Sequence, residues 1–181
     1  MMFLLRMLMR KRGAASMDPL QVSMTGVRMG ERFLQIGCHD RALLAGLAAK
    51  VGLSGTAALA AFDDDQAKRA SGVGAKVGAL IETHQIEGLV LPFDSDQFDM
   101  VVVDDTNGSF GTIDDSMRLA YLRDAARTLR HGGRIEVVEG AAARAPGYDA
   151  LGDLTAAGFK PVRELAVRDG FRFTEGLRPA S

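Results

Sequence analysis

The chain has 181 residues, which is enough for one domain with a sizeable core. Its hydrophobic content of 47% and charged content of 25% are ordinary for a soluble globular protein. A net charge of −1 gives no global case for nucleic-acid binding, and a single cysteine excludes an intrachain disulfide. The composition therefore predicts a cytoplasmic protein without a nucleic-acid partner.

The first twelve residues, "MMFLLRMLMRKR", carry four positive charges on an apolar background. This segment is shorter than the roughly 20 apolar residues that span a bilayer, and its basic residues follow the apolar run, unlike those of a signal peptide. It is either a helix that binds an anionic membrane or a partner, or a frayed tail ahead of a true start at Met17. The first interpretation would place the protein peripherally on the inner face of a membrane. The predicted division is a basic tail, residues 1–17, and one domain, residues 18–181.

Strand and helix patterns alternate along the domain. Strands are predicted at residues 32–37, 55–62, 79–86, 98–105 and 134–140, and twice within residues 160–178, around a turn at Asp169-Gly170. Helices are predicted at residues 41–52, capped by Asp40, from residue 63, at 114–133, stopped by Gly132 or Gly133, and at 148–159. This order predicts a parallel α/β sheet covered by helices on both faces and ending in an antiparallel hairpin.

The segment "RFLQIGCHDRALLAGLAAKVG" begins as a strand, turns at Gly37 and continues as a helix. A strand, a glycine turn and a helix are the usual elements around a nucleotide-type cofactor. Such turns usually carry several glycines, whereas Cys38, His39, Asp40 and Arg41 follow the only one here. The segment therefore locates a candidate cofactor loop with an unusual composition.

Four segments resemble class I S-adenosylmethionine-dependent methyltransferases, most closely the small-molecule and quinone-type subgroup called type 11. They are "GVRMGERFLQIG" at residues 26–37, "LVLPFDSDQFDMVVVDD" at 89–105, "LRDAARTLRHGGRIEVVEG" at 122–140, with His131 in place of the usual proline, and "LTAAGFKPVREL" at 154–165. The resemblance implies a Rossmann-like sheet of seven strands in the order 3-2-1-4-5-7-6, with the last strand antiparallel. It also implies S-adenosylmethionine as cofactor.

The resemblance places the family's loop motif, (D/E)-x-G-x-G-x-G, on residues 35–41. The acidic position is then Gln35, and the three glycine positions are Gly37, His39 and Arg41. Gln35 is neutral and cannot offer hydrogen bonds of carboxylate strength, and glycines normally let the backbone approach a ligand. Gln35, Gly37, Cys38 and His39 are the predicted cofactor contacts in this loop. Arg41 either lies near the cofactor's carboxylate or points into water.

The other site positions come from the same resemblance. The family's ribose-binding acid falls on Ala61 in an ungapped match, which makes Asp63 the cap of the next helix. A slip of two residues would put Asp63 on the ribose instead. Glu87 is the predicted partner of the adenine amino group, and Asp104, followed by Asp105, is the candidate to orient or deprotonate an acceptor.

Two functions are consistent with these residues. The first is S-adenosylmethionine-dependent methyl transfer to a small-molecule or lipid-like acceptor, in a pocket that is open, completed by a partner or facing a membrane. The alternative is a non-catalytic protein of the same fold that acts as a binding or scaffolding subunit. No metal is predicted, because His39, His84 and His131 lie on separate elements without metal-ligand spacing.

Overall fold

The computed structural model describes residues 19–180; the tail and its predicted membrane or partner contacts lie outside the described residues. The strands are β1 (Arg32–Ile36), β2 (Thr56–Ala61), β3 (Ile81–Gln85), β4 (Phe98–Asp105), β5 (Leu129–Gly140), β6 (Val162–Arg168) and β7 (Phe171–Leu177). The helices are α1 (Pro19–Met24), α2 (Arg41–Val51), α3 (Asp64–Ala70), α4 (Val73–Val77), α5 (Asp115–Thr128) and α6 (Ala150–Ala156). None of these helices is long and apolar enough to cross a membrane.

The strands form one sheet in the order β3-β2-β1-β4-β5-β7-β6. All neighbours are parallel except those of β7, which runs antiparallel to both β5 and β6. The predicted strand order and the predicted antiparallel last strand are therefore confirmed. The order reverses between β1 and β4, because the chain extends the sheet from β1 in one direction and returns to add β4 on the other side.

The central strands are buried on both faces, as their continuous apolar sequences predict. One face of the sheet packs in a core with Leu34, Val101, Leu122 and Leu154, and the opposite face packs in a core with Leu43 of α2 and its neighbours. Asp40 caps α2 as predicted, since its carboxylate accepts the N–H groups of Ala42 and Leu43.

The predicted end of α5 at Gly132 or Gly133 is wrong. The helix ends at Thr128, and Leu129 is already extended and fully buried in β5, opposite Phe98 of β4. Burial of Leu129 in the sheet outweighs continuation of the helix. Gly132 instead has φ +71° within a β-bulge region of the β4–β5 pairing.

The turn between the last two strands is confirmed. Asp169 and Gly170 have φ values of +51° and +83°, the pair of positive angles that a two-residue hairpin turn requires. The short helices α1 and α4 are additions that the pattern did not predict. Left-handed glycines, Gly72 and Gly78, bound α4 on each side.

Candidate cofactor site

The candidate site lies at the carboxyl ends of β1, β2 and β4, where the strand order reverses. Open α/β sheets bind ligands in the crevice at such a reversal. Three segments meet there: the loop from β1 to α2, the start of α3, and the loop from β4 to α5. The structure therefore brings most of the predicted site residues to one edge of the sheet.

Gly37 makes the turn that the sequence predicts. Its φ is +77°, in the left-handed region that favours glycine. A Cβ added to Gly37 would lie at an ordinary contact distance of 3.5 Å from both the Asp104 carbonyl oxygen and the Phe62 ring, so the left-handed φ and not a lack of space favours glycine here. The Gln35 side chain donates from Nε2 to the Gly37 carbonyl at 2.9 Å, while its Oε1 has no partner within residues 19–180.

The two peptide N–H groups that follow Cys38 are bonded to a carboxylate on the next strand. His39 and Asp40 both donate to Oδ2 of Asp104, each at 2.8 Å. The other oxygen, Oδ1, accepts from the Thr106 N–H at 3.1 Å and from its hydroxyl at 2.6 Å. Asp104 thus receives four hydrogen bonds and joins the β1 loop to the β4 loop.

Asp104 is only 3% exposed. Burial raises the pKa of its carboxyl, and the hydrogen bonds from Thr106, Asp40 and His39 oppose that shift without cancelling it. Burial, assisted by the Asp104 charge, also raises the pKa of the Cys38 thiol to about 12. Cys38 is therefore a protonated thiol at neutral pH and does not serve as a nucleophile.

His39 and Arg41 are exposed, and neither lines the cavity that Phe62 and Tyr121 help to form. The side chain that lies over Gly37 is Phe62, at the end of β2. Its ring also packs edge-on against Tyr121, with 5.3 Å between ring centroids. Sequence reasoning missed Phe62, because an aromatic residue after a strand has no distinctive local signal.

Asp63 caps α3, as the ungapped match predicts. Its Oδ1 accepts the Gln66 N–H at 2.8 Å, and Ala61, to which the ungapped match assigns the ribose contact, is fully buried. Gln66 in turn accepts the N–H groups of Cys38 and Phe62 on its Oε1, at 3.0 and 3.2 Å. Gln66 was not predicted, and it bonds the start of α3 to the cofactor loop.

Glu87 lies just beyond β3 and is exposed. An isolated antiparallel bridge to Val90 holds its backbone. The Tyr121 hydroxyl donates to the Gly88 carbonyl at 2.9 Å and fixes the loop next to it. The contact of Glu87 with the cofactor stays a prediction.

A cavity of about 310 Å³ opens next to Phe62 and Gln66, which both contact the loop from β1 to α2. Its walls are mainly apolar and aromatic, with polar groups from α3 and the β4 loop; they come from Phe62, Asp63, Gln66, Ser109, Phe110, Ile113, Met117 and Tyr121. This volume falls within the range of roughly 300–1,000 Å³ that is typical of small-molecule sites. The cavity can therefore take a small, mostly apolar ligand next to the cofactor loop.

The loop that forms one wall of this cavity is held by Asp105. Oδ1 of Asp105 accepts the N–H groups of Phe110 and Gly111 at 2.7 and 3.2 Å. Burial, with a contribution from Glu139, raises the pKa of Asp105 to about 6. Oδ2 of Asp105, Oε2 of Glu139 and the Tyr148 hydroxyl are buried without a partner in the described part of the chain. Asp105 therefore helps to fix the shape of the cavity by holding the loop that forms this wall.

Among residues 19–180, no group of three or more His, Cys, Asp or Glu side chains is placed to hold a metal ion. His39 is exposed at the cofactor loop, His84 pairs with Glu82 on β3 at 2.6 Å, and His131 contacts the Pro179 carbonyl. The three histidines therefore lie on different elements and have different surroundings.

Comparisons with known proteins agree with this geometry. The model of the ubiE/COQ5 methyltransferase family matches residues 17–164. Among curated protein sequences, none matches this chain.

Several solved structures share the fold. An S-adenosylmethionine-dependent methyltransferase from Aquifex aeolicus is 16% identical, with a TM-score of 0.71 over 89% of this chain and 94% of that one. An S-adenosylmethionine-dependent O-methyltransferase from Thermotoga maritima is 15% identical, with a TM-score of 0.66 over 90% and 64%. An arsenic(III) S-adenosylmethionine methyltransferase from Chlamydomonas reinhardtii is 18% identical, with a TM-score of 0.57 over 84% and 64%. The chain belongs to the ubiE/COQ5 methyltransferase family and has the Rossmann-like fold of class I S-adenosylmethionine-dependent methyltransferases.

Proposed function

We propose that the chain transfers a methyl group from S-adenosylmethionine to a small, mostly apolar acceptor. The observation that carries this proposal is the Gly37 turn, which keeps its left-handed geometry at the sheet's reversal point and adjoins an aromatic cavity. Family membership supports the same cofactor. The cytoplasmic location stays a prediction.

The residues around the loop match the chemistry of S-adenosylmethionine. Arg41 is an exposed cation on the first turn of α2, where the helix dipole also favours the cofactor's carboxylate. Asp63 uses only Oδ1 in capping α3, which leaves Oδ2 for a ribose hydroxyl. The exposed carboxylate of Glu87 suits the adenine amino group. When bound, the cofactor supplies the electrophilic methyl group.

The acceptor would lie in the cavity beside the loop. Its walls from Phe62, Phe110 and Tyr121 bury an apolar ring or chain, while Ser109 offers a polar group at the rim. Methyl transfer depends on holding the acceptor atom in line with the methyl group, so a fixed cavity wall contributes through orientation. Asp105 fixes that wall through its bonds to the 110–111 peptide groups.

A lipid-like acceptor is part of the same proposal. The basic, Met/Leu-rich segment at residues 1–12 would bring the domain to an anionic membrane surface. Deletion of residues 1–16 should reduce sedimentation with anionic vesicles and leave binding to neutral vesicles unchanged. Unchanged partitioning after the deletion would remove the membrane from the proposal.

A second candidate function is that of a non-catalytic binding subunit. The observation that favours it is that the peptide N–H groups of Cys38, His39 and Asp40 are all bonded to side chains of the protein. Ala61 also offers no carboxylate at the ribose position. A ligand that needs these groups would have to displace existing hydrogen bonds.

Calorimetric titration with S-adenosylmethionine and S-adenosylhomocysteine separates the two functions. Micromolar affinity that falls about tenfold in Glu87→Ala would support the methyltransferase, since a lost charge-assisted hydrogen bond is worth about that much. Glu82→Ala is the matched control, because Glu82 is also an exposed glutamate, on β3. Absence of binding at millimolar cofactor would favour the binding subunit.

A further inference from the structure

We propose that Asp104 is the positioning residue of the cofactor loop and has taken over, from the neighbouring strand, the task of the carboxylate that position 35 lacks. This inference rests on the proposed function for its role in cofactor binding. The holding of the loop itself does not depend on that function. It follows from hydrogen bonds, strand register and burial.

The hydrogen bonds assign the loop's anchor to Asp104. Two consecutive peptide N–H groups, at His39 and Asp40, converge on one oxygen at 2.8 Å. Bonds from neutral donors to a carboxylate are roughly twice as strong as neutral pairs. Gln35 contributes only one neutral bond, from its amide nitrogen to the Gly37 carbonyl. The carboxyl oxygen that bonds the loop's N–H groups therefore comes from β4 and not from β1.

The strand register explains how the replacement is geometrically feasible. The parallel pairing sets Gln35 beside Val102 and Ile36 beside Val103. Side chains alternate between the faces of a strand, so Asp104 projects from the same face as Gln35, two residues beyond its direct neighbour. A carboxylate at position 104 reaches the same loop from the adjacent strand.

The same placement explains why position 35 is neutral. Gln35 is fully buried and Asp104 is 3% exposed, and both side chains approach the same short loop. A second carboxylate at position 35 would place two like charges together in a buried region, which is strongly unfavourable. A glutamine keeps the shape of a glutamate and instead donates to the Gly37 carbonyl. Gln35 thus donates to the loop that Asp104 accepts from, without adding a second carboxyl group.

The test exchanges the charge between the two strands in the full chain. Three variants are compared with the wild type: Asp104→Asn, Gln35→Glu and the double variant. Amide hydrogen exchange of His39 and Asp40 in the ligand-free protein reports loop holding, and calorimetry with S-adenosylhomocysteine reports binding. Thr106→Val is the control, because it removes one donor to Asp104 but leaves both loop bonds in place.

We expect Asp104→Asn to lower the protection of both amides by about tenfold, since the amide oxygen of asparagine is a weaker acceptor than a carboxylate oxygen and its NH2 group cannot accept. Gln35→Glu alone should lower the melting temperature, whereas in the double variant it should restore amide protection toward the wild-type level. Thr106→Val should keep both amides protected. If Asp104→Asn does not fold, recovery of a folded double variant supports the proposal.

The proposal is overturned if Asp104→Asn leaves both amides protected, if Gln35→Glu is harmless beside Asp104, or if the double variant recovers nothing. Cofactor binding should follow amide protection across the series. A series in which protection is lost and recovered while even the wild type binds no cofactor would contradict the proposed function and leave the role of Asp104 in holding the loop established.

Discussion

Glu136 lies directly opposite Glu175 in the antiparallel pair of β5 and β7, in the interior of the sheet. Glu175 is paired with Arg163 at 2.9 Å, but no donor in the described part of the chain reaches either carboxylate oxygen of Glu136. Burial and the nearby Glu175 raise the pKa of Glu136 to about 9. The Glu136 carboxyl is therefore neutral in the folded protein at pH 7.

This pair gives a prediction about pH. Because the folded-state pKa of Glu136 exceeds its ordinary value of 4.5, its contribution to stability is complete below pH 4.5 and is lost as pH rises toward about 9. Glu136→Gln should raise the free energy of unfolding at pH 8 by roughly 1–3 kcal/mol and flatten this pH dependence. Urea unfolding at pH 5 and pH 8 measures both effects. Glu164→Gln, a half-exposed glutamate on β6, should change neither.

Asp99, near the start of β4, should make stability depend on pH in the opposite direction to Glu136. Burial would raise the pKa of Asp99, but hydrogen bonds from Arg32 and Arg130 lower it to about 2. Its contribution to stability is therefore present above pH 3.8 and lost as pH falls toward 2. Asp99→Asn should lower the unfolding free energy at pH 7 by about 1–2 kcal/mol and weaken the acid transition. Asp65→Asn, an exposed site on α3, serves as the control; equal losses in both variants would contradict the assignment.

The chain's two tyrosines should respond differently to loss of their hydroxyl groups. The Tyr121 hydroxyl donates to the Gly88 carbonyl at 2.9 Å, whereas the buried Tyr148 hydroxyl has no partner among residues 19–180. Tyr121→Phe should lower the unfolding free energy by about 1 kcal/mol. Tyr148→Phe should leave it unchanged or raise it, because a buried, unpaired hydroxyl is removed. Thermal unfolding measures both effects. If Tyr148→Phe destabilises the protein as much as Tyr121→Phe does, the Tyr148 hydroxyl has a hydrogen-bond partner in solution.

Alanine substitutions at two glycines distinguish the energetic cost of backbone strain from the cost of a steric clash. Gly108 and Gly78 have φ values of +76° and +68°, so alanine is strained to a similar extent at each. A Cβ at Gly108 would lie 1.9 Å from the Ala143 carbonyl oxygen, whereas nothing lies within 4 Å at Gly78. Gly78→Ala should lower the unfolding free energy by about 1 kcal/mol, and Gly108→Ala by roughly 2–4 kcal/mol. Similar losses would mean that the β4 and β5 loops move apart easily.

The fold was predictable because its evidence is local and repeated. Alternating strand and helix patterns, the Asp40 cap and the Asp169-Gly170 turn each follow from a few neighbouring residues, and the structure confirms them. The end of α5 was not, because burial of Leu129 against β4 depends on a partner 31 positions away in sequence, Phe98. Long-range pairing of this kind has no local signal.

The sequence predicts where the candidate loop lies but not the hydrogen bonds that hold it. The strand, the glycine and the helix around residues 35–41 predict a cofactor loop, and Gly37 there makes the expected left-handed turn. Taken alone, Gln35 predicts the loss of the loop's carboxylate, because Asp104 lies 69 positions away and becomes adjacent only through the β1–β4 pairing. Gln66 was missed for the same reason, since its partner Cys38 is 28 residues earlier.

The Gln66 bonds also determine how a ligand would gain access to the loop. One side-chain oxygen accepts from both Cys38 and Phe62, so the protein itself satisfies the peptide N–H groups that follow β1 and β2. A rotation about the χ angles of Gln66 would release both N–H groups together without moving the backbone. Side-chain rotations are far faster than loop opening. A change in one side chain would therefore be enough to expose the peptide groups of both Cys38 and Phe62.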